Sequence, residues 1–239
     1  MDFAARARAF LAAHAVARPQ VRPTAALRRF LTDEGFGMLA MRELRNPFDE
    51  AFDHALEYYD GPPELRTQWM RQRGALHDQA VSRSRQSSVP IRWSAALADA
   101  RGVSRQIFEA FARHGMTEGV VLTHVSVHRP PIIVSIEGAV AADLSDEDML
   151  SLQLVVTHFV SLWLARHPIG EEAWENLSPR EVEILAASSA GLNGTRLGEE
   201  LGISPNTVQS YLRSIRAKLG ARTMPHAVQI AVSRGLIAA

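Results

Sequence analysis

Cysteine is absent from this chain of 239 residues, and lysine occurs once, at Lys218. Without a thiol there can be no disulfide and no thiolate chemistry, which fits a reducing compartment. No apolar run of roughly eighteen residues exists to span a bilayer. The Ala- and Arg-rich start, Met1 to Arg18, lacks the unbroken apolar core of a secretory signal. A cytoplasmic protein without membrane contact is expected. Also missing are a Gly-x-Ser-x-Gly nucleophile elbow, a phosphate-binding glycine loop and any internal repeat. His124 and His128 have no third ligand at a sensible spacing, so no metal and no cofactor is expected. Nor is there net charge, because 26 Lys and Arg balance 26 Asp and Glu.

That neutral total conceals a division. Residues 176–239 hold seven Lys and Arg against four Asp and Glu, +3, which leaves 19 against 22, −3, for residues 1–175. With 46 % hydrophobic residues the chain can build a real core, and its length suits two domains. Pro168 and Gly170 break an apolar helical pattern before a cluster of acids. The expected organisation is a domain at 1–166, a linker at 167–176 and a second domain at 177–239.

The second domain reads as four helices. In LSPREVEILAASSAG, Ser178 is the N-cap, Pro179 the first helical residue and Glu181 closes a capping box. NGTRLGEELG offers Thr195 as a cap for a short helix ending at Gly202, and ISPNTVQSYLRSIRAKLG begins again with Ser204 and Pro205. A final helix, MPHAVQIAVSRGLI, closes the unit. The turn between the second and third helices, Gly202 to Ser204, has helix-turn-helix spacing. On the third helix Val208, Leu212, Ile215 and Leu219 form an apolar stripe opposite Gln209, Arg213 and Arg216. An exposed Arg and Gln on such a helix suit base edges in a major groove; a merely solvated charged face is the plainer alternative.

These motifs, together with Thr207-Val208, Lys218-Leu219 and the terminal Gly-Leu-Ile, resemble the C-terminal DNA-binding domain of LuxR-type transcription regulators. The resemblance implies base contacts from Gln209 and Arg213 and phosphate contacts from Thr207, Arg216 and Lys218. Asn193 departs from the lysine frequent at that place, which removes an expected phosphate contact.

The first domain mixes alternating runs (GFGMLAM, VVLTHVSV, PIIVSIE) with helical ones (RQIFEAFARHGM, DEDMLSLQLVVTHFVSLWLARH). That pattern predicts an α+β fold, an antiparallel sheet flanked by helices in an α-β-α sandwich. Phe3, Ala7, Phe10, Leu11 and His14 fall at helical spacing and predict an amphipathic first helix. A phosphoacceptor domain of the receiver type is excluded, since its lysine would have to be Lys218. Asp78, Trp93, Gly115 and Gly119 stand as in the autoinducer-binding domain of the quorum-sensing branch. There the aspartate accepts the ligand amide N–H, an indole packs over the head group and a hydroxyl on the sheet adds a hydrogen bond. By resemblance these roles fall to Asp78, Trp93 and Ser135. Each has a structural alternative: Asp78 as a helix cap, Trp93 as core, and Val121, Thr123 and Val125 as core strand instead of acyl-chain lining.

Two departures bear on the ligand. The lactone-binding tryptophan of the family falls at Leu65 and its neighbouring tyrosine at Trp69, while Gln79 replaces a proline. Leu65 has no N–H for a lactone carbonyl, and a carbonyl buried without a partner costs up to about 3 kcal/mol. The pair resembles the subgroup without a partner synthase from plant-associated bacteria, thought to answer compounds other than ordinary acyl-homoserine lactones. A register shifted by a few residues would instead bring Tyr58 or Tyr59 to the pocket.

The expectation is a ligand-responsive transcription regulator, an activator by resemblance and not an enzyme, whose signal is acyl-homoserine-lactone-like or plant-derived. It binds double-stranded DNA at an inverted repeat as a homodimer, with RNA polymerase as a further partner. The helix from Asp146 to Arg166 and the last helix from Pro225 are its dimer surfaces. An ordinary acyl-homoserine lactone receptor, and an antagonist that acts by heterodimerisation without ligand, are the alternatives.

Overall fold

A computed structural model describes residues 2–14, 22–45, 55–126, 129–167, 177–233 and 236–237; His128 and nearly all of the expected linker lie outside these. The chain divides into two compact units, one of residues 1–125 and 131–167, the other of residues 126–130 and 168–239.

The first unit is organised by a five-stranded antiparallel sheet in the order β2-β1-β5-β4-β3. Its strands are β1 (Met38–Glu43), β2 (Glu57–Tyr59), β3 (Ile91–Arg92), β4 (Gly119–His124) and β5 (Ile132–Glu137). Side chains alternate across a pleated strand, so each strand contributes to two different environments. Leu39, Met41, Val120, Leu122, Val134 and Ile136 point to one face, where they meet Leu152, Val155, Val156 and Phe159. The helices on that face are α1 (Phe3–His14), α2 (Pro23–Asp33) and α8 (Asp146–Leu164). Phe10, from the amphipathic first helix, stacks on Phe30 and Phe159 at 4.5 and 5.0 Å between ring centres.

Met38, Val121 and Ile133 point to the other face, under α3 (Pro63–Arg71), α4 (Gly74–His77), α5 (Gln79–Ser84), α6 (Trp93–Asp99) and α7 (Gly102–Arg113). The sandwich expected from the sequence is therefore present. β2 and β3 had no counterpart in the sequence reading: two or three residues are too few for alternation to register, and cross-strand pairing alone defines them.

The second unit contains α9 (Pro179–Ser189), α10 (Gly194–Leu201), α11 (Pro205–Leu219) and α12 (Met224–Ser233) around Ile184, Leu185, Leu197, Val208, Ile215 and Leu219. Ser178 and Glu181 form the reciprocal capping box expected of them. Gly202, at φ 63°, ends α10 in the left-handed conformation that glycine adopts without strain. One cap differs from expectation. Asn193, not Thr195, caps α10, its side chain accepting from the Arg196 backbone N–H at 3.1 Å. The helix begins two residues earlier than its threonine suggests, and the residue that departs from the family pattern has a structural task.

Candidate functional site

The face of the sheet under α3 to α7 is not filled. Cross-strand register places Tyr59, Ala40, Ser135 and Val121 in one row across β2, β1, β5 and β4. These residues form part of the lining of a cavity, with Leu65, Trp69, Asp78, Trp93, Phe108 and Phe111 contributing from the helices. About 80 Å³ of it is open to the centres of water-sized molecules. One water needs only about 10–15 Å³ on that measure, so the space admits a small organic group. The small side chain of Ala40 keeps the row low at its centre.

Asp78 performs one of the two roles weighed from sequence, the helix cap, and also accepts from an indole that the sequence reading did not pair with it. Its Oδ1 accepts from the Ala80 backbone N–H at 2.9 Å as N-cap of α5, and its Oδ2 accepts from Trp69 Nε1 at 3.0 Å. Burial pushes the pKa of the carboxyl up, against the opposing hydrogen bonds from Trp69 and the Ala80 and Val81 backbone. The indole of Trp69 reaches this position because residue 74 is glycine, where a Cβ would overlap the ring.

Trp93 is both core and cavity wall. It is 5 % exposed and meets Phe111 edge to face at 5.1 Å between centres. Gly119 makes room for it, since a Cβ there would lie 2.8 Å from the indole. Glu118 accepts from the Ser94 and Gly119 backbone N–H groups at 3.1 and 2.9 Å, fixing the start of α6. Leu65 is buried in the lining and offers only a hydrocarbon surface. Tyr59 lines the cavity while its hydroxyl donates to the Pro62 carbonyl at 2.8 Å; burial first, then Asp60 and Glu57, push its pKa up to about 12.

Three sequence expectations meet a different geometry. Thr123 is absent from the lining and shares a 2.9 Å hydrogen bond with Ser84. Val125 lies beyond the end of β4 and is 74 % exposed, so alternation did not carry it into a pocket. Tyr58 packs toward the core on the opposite face of the sheet, because β2 alternates like any strand. Sequence reasoning also missed Arg42, Glu57 and Arg66, which line the cavity. The signal available was Arg42 continuing the alternation of GFGMLAM, but without the short β2 beside it no partner was visible.

In the second unit α11 exposes Gln209 and Arg213, with Arg213 Nε 3.5 Å from the Gln209 carbonyl. Arg216 is half-buried along the same helix, and the Thr207 hydroxyl pairs with that of the cap, Ser204, at 2.8 Å. Lys218, expected at a phosphate, is exposed on α11 and also reaches a buried acid. Its Nζ lies 2.7 Å from Oε2 of buried Glu181, whose Oε1 accepts from Ser214 at 2.6 Å. Burial alone would raise the Glu181 pKa, but Lys218, Ser214 and Ser178 bring it down to about 2.

Comparison with known proteins supplies the family. Residues 24–161 match the autoinducer binding domain, and residues 175–231 match the bacterial regulatory proteins of the luxR family. The putative HTH-type transcriptional regulator y4qH of Sinorhizobium fredii is 28 % identical over 161 residues, 66 % of this chain and 49 % of that protein. The match thus spans about half the length of y4qH. The transcriptional activator BjaR1 of Bradyrhizobium diazoefficiens is 27 % identical over 207 residues, 85 % of this chain and 84 % of its own. In fold, the structure of SdiA, an Escherichia coli regulatory protein, in complex with octanoyl-rac-glycerol superposes with a TM-score of 0.69 at 20 % identity, covering 99 % of this chain and 97 % of that one. An autoinducer-binding domain followed by a LuxR-type helix-turn-helix places this chain in the LuxR family of quorum-sensing transcription regulators.

Proposed function

We propose that the chain is a cytoplasmic transcription regulator, not an enzyme, that binds an inverted-repeat operator as a homodimer under the control of a small molecule other than an ordinary acyl-homoserine lactone. The observation that carries the ligand reading is the 3.0 Å hydrogen bond from Trp69 Nε1 to Asp78 Oδ2. The residue in place of the family tyrosine already engages the carboxylate that would receive a ligand amide. Leu65, beside it in the lining, supplies no donor for a lactone carbonyl. That a solved SdiA complex holds an acylglycerol supports a cavity of this fold accepting a head group other than a lactone.

On the DNA side, Gln209 and Arg213 are the residues we assign to base edges, with Thr207 and Arg216 at phosphates. A single recognition helix reads few base pairs, and a two-fold dimer doubles the site. Leu150 and Leu154, 49 % and 61 % exposed one turn apart on α8, support that helix as a dimer surface. RNA polymerase is the further partner that activation would require.

The test is restoration. Leu65→Trp combined with Trp69→Tyr rebuilds the donor pair of the lactone-binding branch. The double variant should gain affinity for acyl-homoserine lactones by roughly 1–3 kcal/mol, tenfold or more, in calorimetric titration over a series of acyl lengths. Nanomolar binding of a lactone by the parent, or no gain in the double variant, would reject the reading.

A further inference from the structure

Arginine and glycine stand in an unexpected order where α3 passes into α4. Arg73, between the two helices, has φ 52° and ψ 50°, and among the described residues no other residue besides glycine has a positive φ. Glycine adopts that conformation without strain, whereas a side chain makes it costly. Gly74, the first residue of α4, has no such φ, so its backbone does not call for glycine. At a helix position glycine also costs backbone entropy that alanine does not. What position 74 cannot hold is a side chain, because a Cβ there would overlap Cε2, Nε1 and Cδ2 of the Trp69 indole. The glycine therefore serves the tryptophan and not the turn.

Trp69 lies in the last turn of α3 and Asp78 follows α4, and the indole crosses Gly74 to reach the carboxylate. Both oxygens of Asp78 are then engaged, Oδ2 by Trp69 at 3.0 Å and Oδ1 by the Ala80 backbone N–H at 2.9 Å. Trp69 and Asp78 line the cavity beside Met38, Val81, Phe108 and Ile133. A ligand N–H directed at Oδ2 competes with the indole, and an indole N–H left without an acceptor in this apolar wall is penalised. We propose that Gly74 is a specificity-determining positioning residue: by admitting the Trp69 indole across the start of α4 it keeps Asp78 occupied from within, and the cavity discriminates against ligands recognised through an amide N–H. The assignment rests on the reading of the cavity as the ligand site and names the chemical class that the site disfavours. Ligands that carry no N–H donor, such as esters, do not meet this competition.

The experiment uses the full chain and two probes of one shape, N-methylhexanamide and methyl hexanoate, which differ by an N–H in place of an oxygen. In calorimetric titration the parent should bind the amide no more tightly than the ester. Gly74→Ala should displace the indole and create a preference for the amide of roughly tenfold or more. With nitrogen-15-labelled tryptophan, the Trp69 Nε1–H resonance is assigned by its loss in Trp69→Phe. Its exchange with solvent should be faster by about tenfold or more in Gly74→Ala. Folding stability separates this role from a backbone one. Gly74→Ala should lower the denaturant midpoint of the parent, yet raise it or leave it unchanged in the Trp69→Leu background, where no indole lies across position 74. A midpoint lowered equally in both backgrounds assigns the glycine to the turn and overturns the proposal. A preference for the amide in the parent, no such preference in Gly74→Ala, or an unmoved indole resonance overturns it as well and leaves the cavity reading standing. Binding of neither probe by the parent or the variants overturns both. Should Gly74→Ala fail to fold, Trp69→Phe frees Asp78 without touching position 74, and equal binding of the two probes by that variant overturns the assignment.

Discussion

Asp78 in the sensor unit and Glu181 in the helix-turn-helix unit are both carboxylates drawn into an interior, yet their pKa values move in opposite directions. Each caps a helix or closes a capping box. The difference lies in the partners. Glu181 has the ammonium of Lys218 and the hydroxyl of Ser214, so the ionised form is favoured and the group serves the fold. Among the described residues Asp78 has an indole and backbone N–H groups but no cation, so burial prevails and its pKa is raised. A buried acid with its own cation is finished; one without it, on a cavity wall, is positioned for a partner that arrives from outside.

The largest effect should come from breaking the satisfied pair. Lys218→Met leaves Glu181 buried without its cation, and the second unit should lose about 1–3 kcal/mol. Amide exchange of α9 and α11 would measure this, together with a rise in the Glu181 pKa. Unchanged exchange with weaker binding to all DNA sequences would return Lys218 to the phosphate role expected from the family.

A smaller, opposite pair of effects is expected with pH. For Glu181 the folded pKa lies below the unfolded one, so its contribution is present above pH 4.5 and is lost as pH falls toward about 2. For Asp78 the folded pKa lies above the unfolded value, so the folded state binds the extra proton. The sensor unit should therefore gain stability as pH falls through that raised value and lose it again as pH rises. Asp78→Asn keeps the helix cap, should change sensor stability by no more than about 1 kcal/mol at neutral pH, and should flatten this slope. Unfolding measured by near-ultraviolet signals of the sensor tryptophans over a pH series would show it. A slope that survives in the variant would assign the titration to another group.

The smallest change in stability is expected on the exposed face of α11. Arg213→Ala should alter unfolding by less than about 0.5 kcal/mol, yet cost about 1–3 kcal/mol at the specific operator and relax one base preference. Equal affinity of parent and variant across operator variants would remove Arg213 from the base-reading set, and the exposed charge would be a solvated face.

Long elements were legible because their signals are local. Capping boxes, Ser-Pro starts and the 3.6-residue stripe of α11 follow from hydrogen-bonding and packing rules that act within a few residues. The alternation of GFGMLAM, VVLTHVSV and PIIVSIE likewise marks strands that need no knowledge of their neighbours. Among cavity residues, Asp78, Trp93, Val121 and Ser135 were reached through resemblance, whereas Val125 was misplaced because strand periodicity does not say where a strand ends, and Thr123 because it does not say that Ser84 of α5 pairs with it.

By itself, the sequence determined the class of each domain, the helix-turn-helix, and the presence of a hydrocarbon side chain at Leu65 and a donor-only indole at Trp69. Only tertiary structure decided that Trp69 turns its N–H onto Asp78, that Lys218 pairs with Glu181, and that Arg42, Glu57 and Arg66 line one cavity. Those contacts join residues on different elements, from nine positions apart for Trp69 and Asp78 to 37 for Lys218 and Glu181. Propensity and spacing act along the chain, but hydrogen bonds and charge pairs act through space, and their partners are chosen when the elements pack.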